Sequence, residues 1–496
     1  MTYSVSGLSV VGVIGAGIMG AGIAQVLAAS GFQTVLYDTR PEALAKAQAD
    51  IHARLDRLAE KGQMGAQDAA HAKSRLRIAS DLADLAPAGL VIEAIVENLE
   101  VKQALFRQLE EVVPETAVLA SNTSSLSIAA IGRACRHRER ICGMHFFNPV
   151  PLMKLVEVIA GPATRLEVMQ LATDLVGRMG KVAVVAKDGP GFLVNLGGRA
   201  FYTEALHIEA EGVASPEQID RIMTAGCGFR MGPFALMDLT GIDVNFPVTG
   251  FIHQGHQYDP RLKTAPRHER MFEAGLYGRK VGRGFYDYSE GAAKPAAPEP
   301  PEPGRAPFRA HVAEAHPGFD ALAARGLESA ADADPILVSP WGEDATTVAA
   351  RLRLPAERVV AVDFSGAECG VLTLMTPPVA STALQPVAEW LAAVGYRVEI
   401  VQDSPGFVAQ RILAMIVNLG CEMAQTGVGS PADIETAMRL GLNYPFGPLE
   451  LGDRIGAGKV LETLENLQAV TGSDRYRPSL WLRRRAFLDL PLQARP

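Results

Sequence analysis

Part of this chain occurs twice, and that constrains its fold more than any other feature. Residues 188–238 align without a gap onto residues 403–453, at a constant spacing. Asp188-x-Pro190-Gly191-Phe192 recurs as Asp403-x-Pro405-Gly406-Phe407. Gly212-Val213-x-Ser215-Pro216 recurs as Gly427-Val428-x-Ser430-Pro431, and Gly232-Pro233 as Gly447-Pro448. Glycine and proline fix turns, so keeping them in register keeps a backbone. The repeated stretch lacks strand-like runs and shows helical spacing, which predicts a duplicated all-α domain. A fainter echo precedes it: Ala120-Ser121 matches Val338-Ser339, and Arg140-Ile141 matches Arg358-Val359.

The chain from 1 to 187 alternates apolar β-branched runs with amphipathic ones. Val10-Val11-Gly12-Val13-Ile14, Thr34-Val35-Leu36-Tyr37, Leu90-Val91-Ile92-Glu93-Ala94 and Ala117-Val118-Leu119-Ala120 read as buried strands. Helical patterns follow at 22–30 and 41–61. Such alternation predicts a parallel sheet covered on both faces. Residues 289–307 are dominated by Pro and Glu and read as an extended tether. The predicted order is therefore an α/β dinucleotide-binding domain (1–187), a first helical domain (188–288), a Pro-rich linker (289–334), a degenerate half of a second α/β domain (335–402) and a second helical domain (403–496).

Composition narrows the function. Hydrophobic residues are 48% and the net charge is −8, which supplies several cores and disfavours nucleic-acid binding. No apolar run of about 18 residues suggests a membrane span, and the N-terminus lacks a leader pattern. Five scattered cysteines without C-x-x-C spacing fit free thiols in a reducing cytoplasm, with neither a disulfide framework nor a metal site.

Gly15-Ala16-Gly17-Ile18-Met19-Gly20 follows a predicted strand, opens a predicted helix and stands about 20 residues before Asp38 at the end of the next strand. Gly15 permits the tight turn, Gly17 lets a pyrophosphate approach the helix N-terminus, and Gly20 allows close packing. Asp38 would accept from ribose hydroxyls and repel a 2′-phosphate, favouring NAD, while Arg40 could accommodate that phosphate. In Met144-His145-Phe146, His145 ends an apolar strand. Glu157, flanked by Val156 and Val158, needs a partner. A carboxylate-oriented imidazole is the usual base for removing an alcohol proton.

These motifs resemble the L-3-hydroxyacyl-CoA dehydrogenase family. The fingerprint, Ser121-Asn122-Thr123-Ser124-Ser125, the 145–157 stretch, Asp188-x-Pro-Gly-Phe-x-Val-Asn195 and residues 278–286 occur in the family's order over residues 8–288. The resemblance implies His145 as base, Glu157 as its orienting partner, and Ser124 and Asn195 holding the reacting oxygen and the thioester carbonyl. It places Asn148 near the nicotinamide and against substrate. It makes Glu97, Lys102, Ser124 and Lys280 cofactor contacts, and Lys61 and, more weakly, Arg54 coenzyme A contacts. The two-copy layout resembles the long bacterial members of the phenylacetate-degradation type, which act on 3-hydroxyadipyl-CoA; Arg199 and Arg230 are candidates for reading a distal carboxylate.

Two departures stand out. Leu196-Gly197-Gly198 follow Asn195 where relatives carry Arg and bulky apolar residues. The second half holds Asp363 in place of His145, Thr373 or Met375 in place of Glu157, and Gln410 in place of Asn195, so it cannot run the same reaction. The sequence thus predicts an NAD-dependent 3-hydroxyacyl-CoA dehydrogenase whose helical domains pair within the chain, as a monomer or a homodimer. The alternatives are a hydroxyacid dehydrogenase of the 3-hydroxyisobutyrate type, which uses an active-site lysine, and a non-catalytic NAD-binding structural protein, which should show an eroded dyad. A bifunctional protein is disfavoured because no hydratase-like domain precedes residue 10.

Overall fold

The computed structural model describes residues 4–291 and 304–494. It forms two compact units. The first takes the chain up to Leu196 together with Thr426–Leu442; the second takes Gly197–Gln425 and the residues from Asn443 onward.

The first unit is built on eight strands: β1 (Val10–Ile14), β2 (Gln33–Tyr37), β3 (Leu76–Ile78), β4 (Leu90–Glu93), β5 (Val118–Ser121), β6 (Ile141–Phe146), β7 (Leu155–Ala160) and β8 (Val182–Lys187). Their order is β3-β2-β1-β4-β5-β6-β7-β8. All neighbours run parallel except β6 and β7. The central strands are apolar on both faces, as a sheet covered by helices requires. Val11, Val13, Leu36, Ile92 and Val118 join Ile23 and Leu27 of the helix Ile18–Ala29 in one core. That helix begins at Ile18, ahead of the predicted start at Gly22, because Gly15, at φ +103°, turns the chain straight from β1 into it.

The second unit carries a six-stranded sheet: β9 (Phe308–Val312), β10 (Leu327–Ser329), β11 (Ile336–Val338), β12 (Val359–Asp363), β13 (Val371–Met375) and β14 (Arg397–Ile400), in the order β10-β9-β11-β12-β13-β14. The single antiparallel pairing is β12 with β13. This corrects the expected linker of 289–334. Residues 304–334 are folded, with β9, β10 and the helix Pro317–Ala323, and the sheet starts well before residue 335. The reason is packing. Phe308 stacks on Trp390 at 4.9 Å, and the Trp390 indole N–H donates to the Ala306 carbonyl at 2.8 Å. Residues 292–303 of the expected linker lie outside the described residues.

Each sheet is covered at its antiparallel end by a helix from a distant stretch of the chain. In the first unit, the helix Pro431–Leu442 lies on β7 and β8, and Lys187 N–H donates to the Val428 carbonyl at 2.8 Å. In the second, Arg221 of the helix Pro216–Arg221 forms a two-bond ion pair with Glu399 of β14, at 2.7 and 2.9 Å, and Gln402 N–H donates to the Val213 carbonyl at 2.9 Å. The expected boundary at 403–496 therefore changes, because residues 426–442 fold with the first unit.

Glu204 lies at the centre of the second unit, on the helix Arg199–Ala210, and is wholly buried. Its carboxylate accepts from Arg411 Nε at 2.9 Å, Arg475 Nε at 2.7 Å and the Tyr476 hydroxyl at 2.9 Å. Arg411 belongs to the helix Ala409–Thr426, so the ion cluster ties the first helical stretch to the second. Burial works to raise the Glu204 carboxyl, but the fields of Arg475 and Arg411 outweigh it and hold it at about 2. A carboxyl lowered this far from 4.5 contributes about 3 kcal/mol at neutral pH.

Two outcomes follow for stability. The Glu204 contribution is complete above about pH 4.5 and is lost as the pH falls towards 2, since its folded-state value is depressed. Glu204→Gln, which strands two buried guanidinium groups, should cost about 3–5 kcal/mol in urea unfolding at pH 7 and flatten that acid dependence. A chain ending at Ser289 loses Arg411, Arg475 and the 431–442 helix together. It should dimerise or aggregate in size-exclusion chromatography; a soluble, fully active monomer would contradict the packing described.

Candidate active site

His145 lies near the end of β6 and Glu157 sits in β7. The antiparallel register sets them directly opposite each other, so two residues twelve apart in sequence become a cross-strand pair. His145 Nδ1 lies 2.6 Å from Glu157 Oε2, in a site where both side chains are buried. The other carboxylate oxygen, Oε1, accepts the N–H groups of Leu193 and Val194, each at 2.9 Å. Those N–H groups open the helical segment Val194–Gly197 after the Pro190-Gly191-Phe192 turn, where Phe192 adopts φ +47°. Glu157 therefore does two jobs: it accepts the imidazole proton at Nδ1 and pins the turn that carries Asn195. With Glu157 engaged at Nδ1, Nε2 is the ring nitrogen that Glu157 leaves free. Phe147 and Phe192 flank the imidazole at 4.5 and 6.1 Å between ring centres.

Ser124 stands in the loop past the end of β5, and the Asn195 side-chain amide donates to its carbonyl at 3.4 Å. Glu97 holds that loop. Its Oε1 accepts from the Thr123 hydroxyl (2.5 Å), Ser124 N–H (3.1 Å), Ser125 N–H (3.2 Å) and the Ser125 hydroxyl (2.9 Å). Burial pushes the Glu97 carboxyl up, but Thr123 and the Lys102 charge prevail and keep it below its ordinary value. Lys102 is itself buried, bonded to Glu93 Oε1 at 2.6 Å and paired with Glu97 Oε2 at 3.2 Å. Its charge is balanced inside the protein by these two carboxylates. Glu93, which also accepts from the Ser121 hydroxyl at 2.7 Å, was missed by sequence reasoning. The signal was present: an acid ending Leu90-Val91-Ile92 needs a buried partner just as Glu157 does.

A cleft of about 660 Å³ opens beside the glycine fingerprint, lined among others by Gly15, Gly17, Tyr37, Asp38, Ile95 and Leu105. The residues fit a dinucleotide. No side chain caps the helix Ile18–Ala29, which leaves its first N–H groups for a pyrophosphate, and nothing stands within 4 Å of where a Gly17 side chain would be. Ala16, the exposed Ile18 and the half-buried Met19 complete the loop, and Gly20 packs against the Gly15 carbonyl. Asp38 Oδ2 accepts from Ala16 N–H at 2.8 Å, and Oδ1 from Arg40 N–H at 3.0 Å and Arg40 Nε at 3.2 Å. Burial raises the Asp38 carboxyl, but the Arg40 and Ala16 hydrogen bonds win and hold it below the usual range. Arg40 is thus engaged with the acid it was expected to oppose.

The remaining expected residues are more dispersed. Asn148 is exposed after β6. Arg54 projects from the helix Pro41–Glu60, with Nε and one terminal nitrogen enclosed but without a hydrogen-bond partner, and Lys61 caps that helix in solvent. Lys280 belongs to the second unit, where it pairs with Asp243. Arg199 is buried, donates to the Thr249 hydroxyl at 2.7 Å and lies over the Tyr202 ring, which withdraws it from the surface; Arg230 is exposed.

Comparison with known proteins agrees with this geometry. Residues 10–189 match the NAD binding domain of 3-hydroxyacyl-CoA dehydrogenase, and residues 191–288 and 406–489 match its C-terminal domain. The chain is 40% identical over 485 residues to the 3-hydroxyadipyl-CoA dehydrogenase of Escherichia coli (strain K12), covering 97% of this chain and 98% of that protein. It is 44% identical over 278 residues to a probable 3-hydroxybutyryl-CoA dehydrogenase of Deinococcus radiodurans, covering 56% of this chain and 99% of that one. A crystal structure of a 3-hydroxybutyryl-CoA dehydrogenase from Escherichia coli K12 superposes with a TM-score of 0.88 at 40% identity, over 97% of this chain and 98% of the other. A fingerprint strand, a cleft that fits a dinucleotide and a match along almost the whole length lead to one conclusion: the chain belongs to the 3-hydroxyacyl-CoA dehydrogenase family and is an NAD-dependent enzyme of that class.

Proposed function

We propose that this enzyme oxidises the 3-hydroxyl of an L-3-hydroxyacyl-CoA to the ketone, with His145 as general base and Glu157 as its orienting partner. The observation that carries the reading is the 2.6 Å bond between His145 Nδ1 and Glu157, whose second oxygen is fixed by two backbone N–H groups. Bound NAD supplies the hydride acceptor. His145 Nε2 takes the hydroxyl proton, and the resulting imidazolium is stabilised by the buried carboxylate. The Ser124 hydroxyl and the Asn195 amide donate to the reacting oxygen and the thioester carbonyl. Glu97 and Lys102 hold the Ser124 loop still. Arg54 and Lys61 meet the phosphates of coenzyme A, a role favoured by the unpartnered Arg54 nitrogens. Asn148 and Lys280 complete the cofactor contacts.

The end-to-end likeness to a relative named 3-hydroxyadipyl-CoA dehydrogenase favours 3-hydroxyadipyl-CoA as substrate, with 3-hydroxybutyryl-CoA the shorter candidate. The five free cysteines fit work in the cytoplasm. The second half we read as a duplicated copy kept for packing. Phe407, at φ +51°, is the repeat's counterpart of Phe192. Asp403 caps the helix Ala345–Leu352 as Asp188 caps the helix Ile128–Gly132. Val213 and Val428 accept equivalent bonds from Gln402 and Lys187. The register that sets His145 opposite Glu157 sets Asp363 opposite Thr373, a pair without an imidazole. Pairing of the helical copies within one chain leaves it a monomer or a homodimer of such chains.

Initial rates with 3-hydroxyadipyl-CoA and 3-hydroxybutyryl-CoA should show turnover with both and a higher kcat/KM for the first; turnover of neither would overturn the reading. His145→Gln should lower kcat by roughly 10²–10⁴ while NAD binding stays within about threefold, and Glu157→Gln should act in the same direction on kcat. A Glu157→Gln change confined to KM would count against the orienting role. Asp38→Ser should raise KM for NAD and narrow the NAD-to-NADP preference. A wild type that already prefers NADP would transfer that role to Arg40.

A further inference from the structure

The second half has lost the dyad but kept a cavity. A space of about 260 Å³ opens there, walled by Trp341, Phe364 and Leu413, floored by Gln410 and rimmed by Arg454 and Lys459. Gln410 is the repeat's counterpart of Asn195, and its amide is fully engaged. Oε1 accepts from Gly342 N–H at 2.9 Å, and Nε2 donates to the Pro340 carbonyl and to Asp363 Oδ1, both at 3.1 Å. Asp363 also accepts from Ser365 N–H at 3.0 Å and its hydroxyl at 2.7 Å. The floor is thus tied down and offers no proton chemistry.

The rim has also changed character. Continuing the repeat at the same spacing, Arg454 and Lys459 correspond to Leu239 and Val244, which are apolar and half exposed. The correspondence holds in three dimensions at this point, since Gly241 and Gly456 precede matching helices with φ of +93° and +100°. Neither cation forms an ion pair among the described residues. Arg454 lies over the Phe446 ring at 4.1 Å and Lys459 over the Trp341 ring at 4.9 Å. The acids nearby are Glu368, at the cavity wall, and Glu462, which feels the Lys459 charge one turn away. Behind the wall, His316 stacks on Phe364 at 4.9 Å. Two cations without ion-pair partners, at the mouth of a cavity lined by Trp341, Phe364 and Leu413, form a receptor for an anion with an apolar body. The volume falls below that of a drug-sized pocket, which limits the guest to a small molecule.

We propose that this cavity is a binding site for a small organic carboxylate, its head on Arg454 and Lys459 and its body in the space lined by Trp341, Phe364 and Leu413. It goes beyond the reading of the second half as a packing copy and does not depend on the identity of the acyl-CoA. Isothermal titration calorimetry of the full-length protein with benzoate tests it. The expected result is saturable one-to-one binding with a Kd of about 1 mM or tighter, at least tenfold weaker binding of benzamide and of inorganic phosphate, and at least tenfold loss in the Arg454→Ala, Lys459→Ala double variant. Benzoate binding should be unchanged with saturating NADH and acetoacetyl-CoA. Absence of saturable binding, equal binding of benzamide or phosphate, an unaltered double variant or displacement by acetoacetyl-CoA each overturns the proposal. None of these outcomes bears on the His145→Gln rate, so the site and the dehydrogenase reading fail separately.

Discussion

A carboxylate with no exposure to solvent holds the second unit together. Glu204 loses its hydration entirely, which costs several kcal/mol, and recovers that only because two guanidinium groups and a phenol converge on it. The three donors come from positions 411, 475 and 476, far along the chain from Glu204. An apolar residue at 204 would pack against many helix registers. A charge that demands Arg411 and Arg475 together accepts few, so the cluster selects one alignment of the helices Arg199–Ala210 and Ala409–Thr426. The neighbouring Arg261 extends the selection by reaching Glu422 at 2.9 Å.

The His145–Glu157 pair depends on a second constraint, the single antiparallel reversal between β6 and β7. A parallel crossover there could not set residues 145 and 157 face to face. The same reversal between β12 and β13 shows what the backbone supplies without the right side chains: a buried cross-strand pair, Asp363 with Thr373, in which the acid is bound to local partners. The reversal is common to both sheets, and the two differ in the residues that it sets opposite each other.

Much of this was legible in the sequence where the signal is local. The fingerprint joins a strand, a turn and a helix in one short run, and an acid set among valines announces a buried partner. The repeat carried its own turn residues. What escaped had long-range causes. Phe308-Arg309-Ala310-His311-Val312 alternates too briefly beside a Pro-rich stretch to declare a strand; it becomes one because Trp390 offers Phe308 a flat surface. Glu93 and Lys102 are nine apart in sequence and unremarkable until β4 and the helix Leu99–Val112 bring them to 2.6 Å. Nothing in residues 426–442 announces that this segment folds with the first unit.

That exchange of helices has a consequence for how the chain is made. During synthesis the first sheet is complete once β8 has emerged, yet the helix that covers β7 and β8, Pro431–Leu442, is encoded far downstream. At about 5–20 residues per second, the ribosome leaves that apolar surface bare for tens of seconds. Apolar surface left bare in this way is what makes partly folded chains prone to mispairing. Covalent linkage works against such mispairing in a simple way: with the helix Pro431–Leu442 on the same polypeptide as β7 and β8, the correct partner is the one that arrives at the highest local concentration.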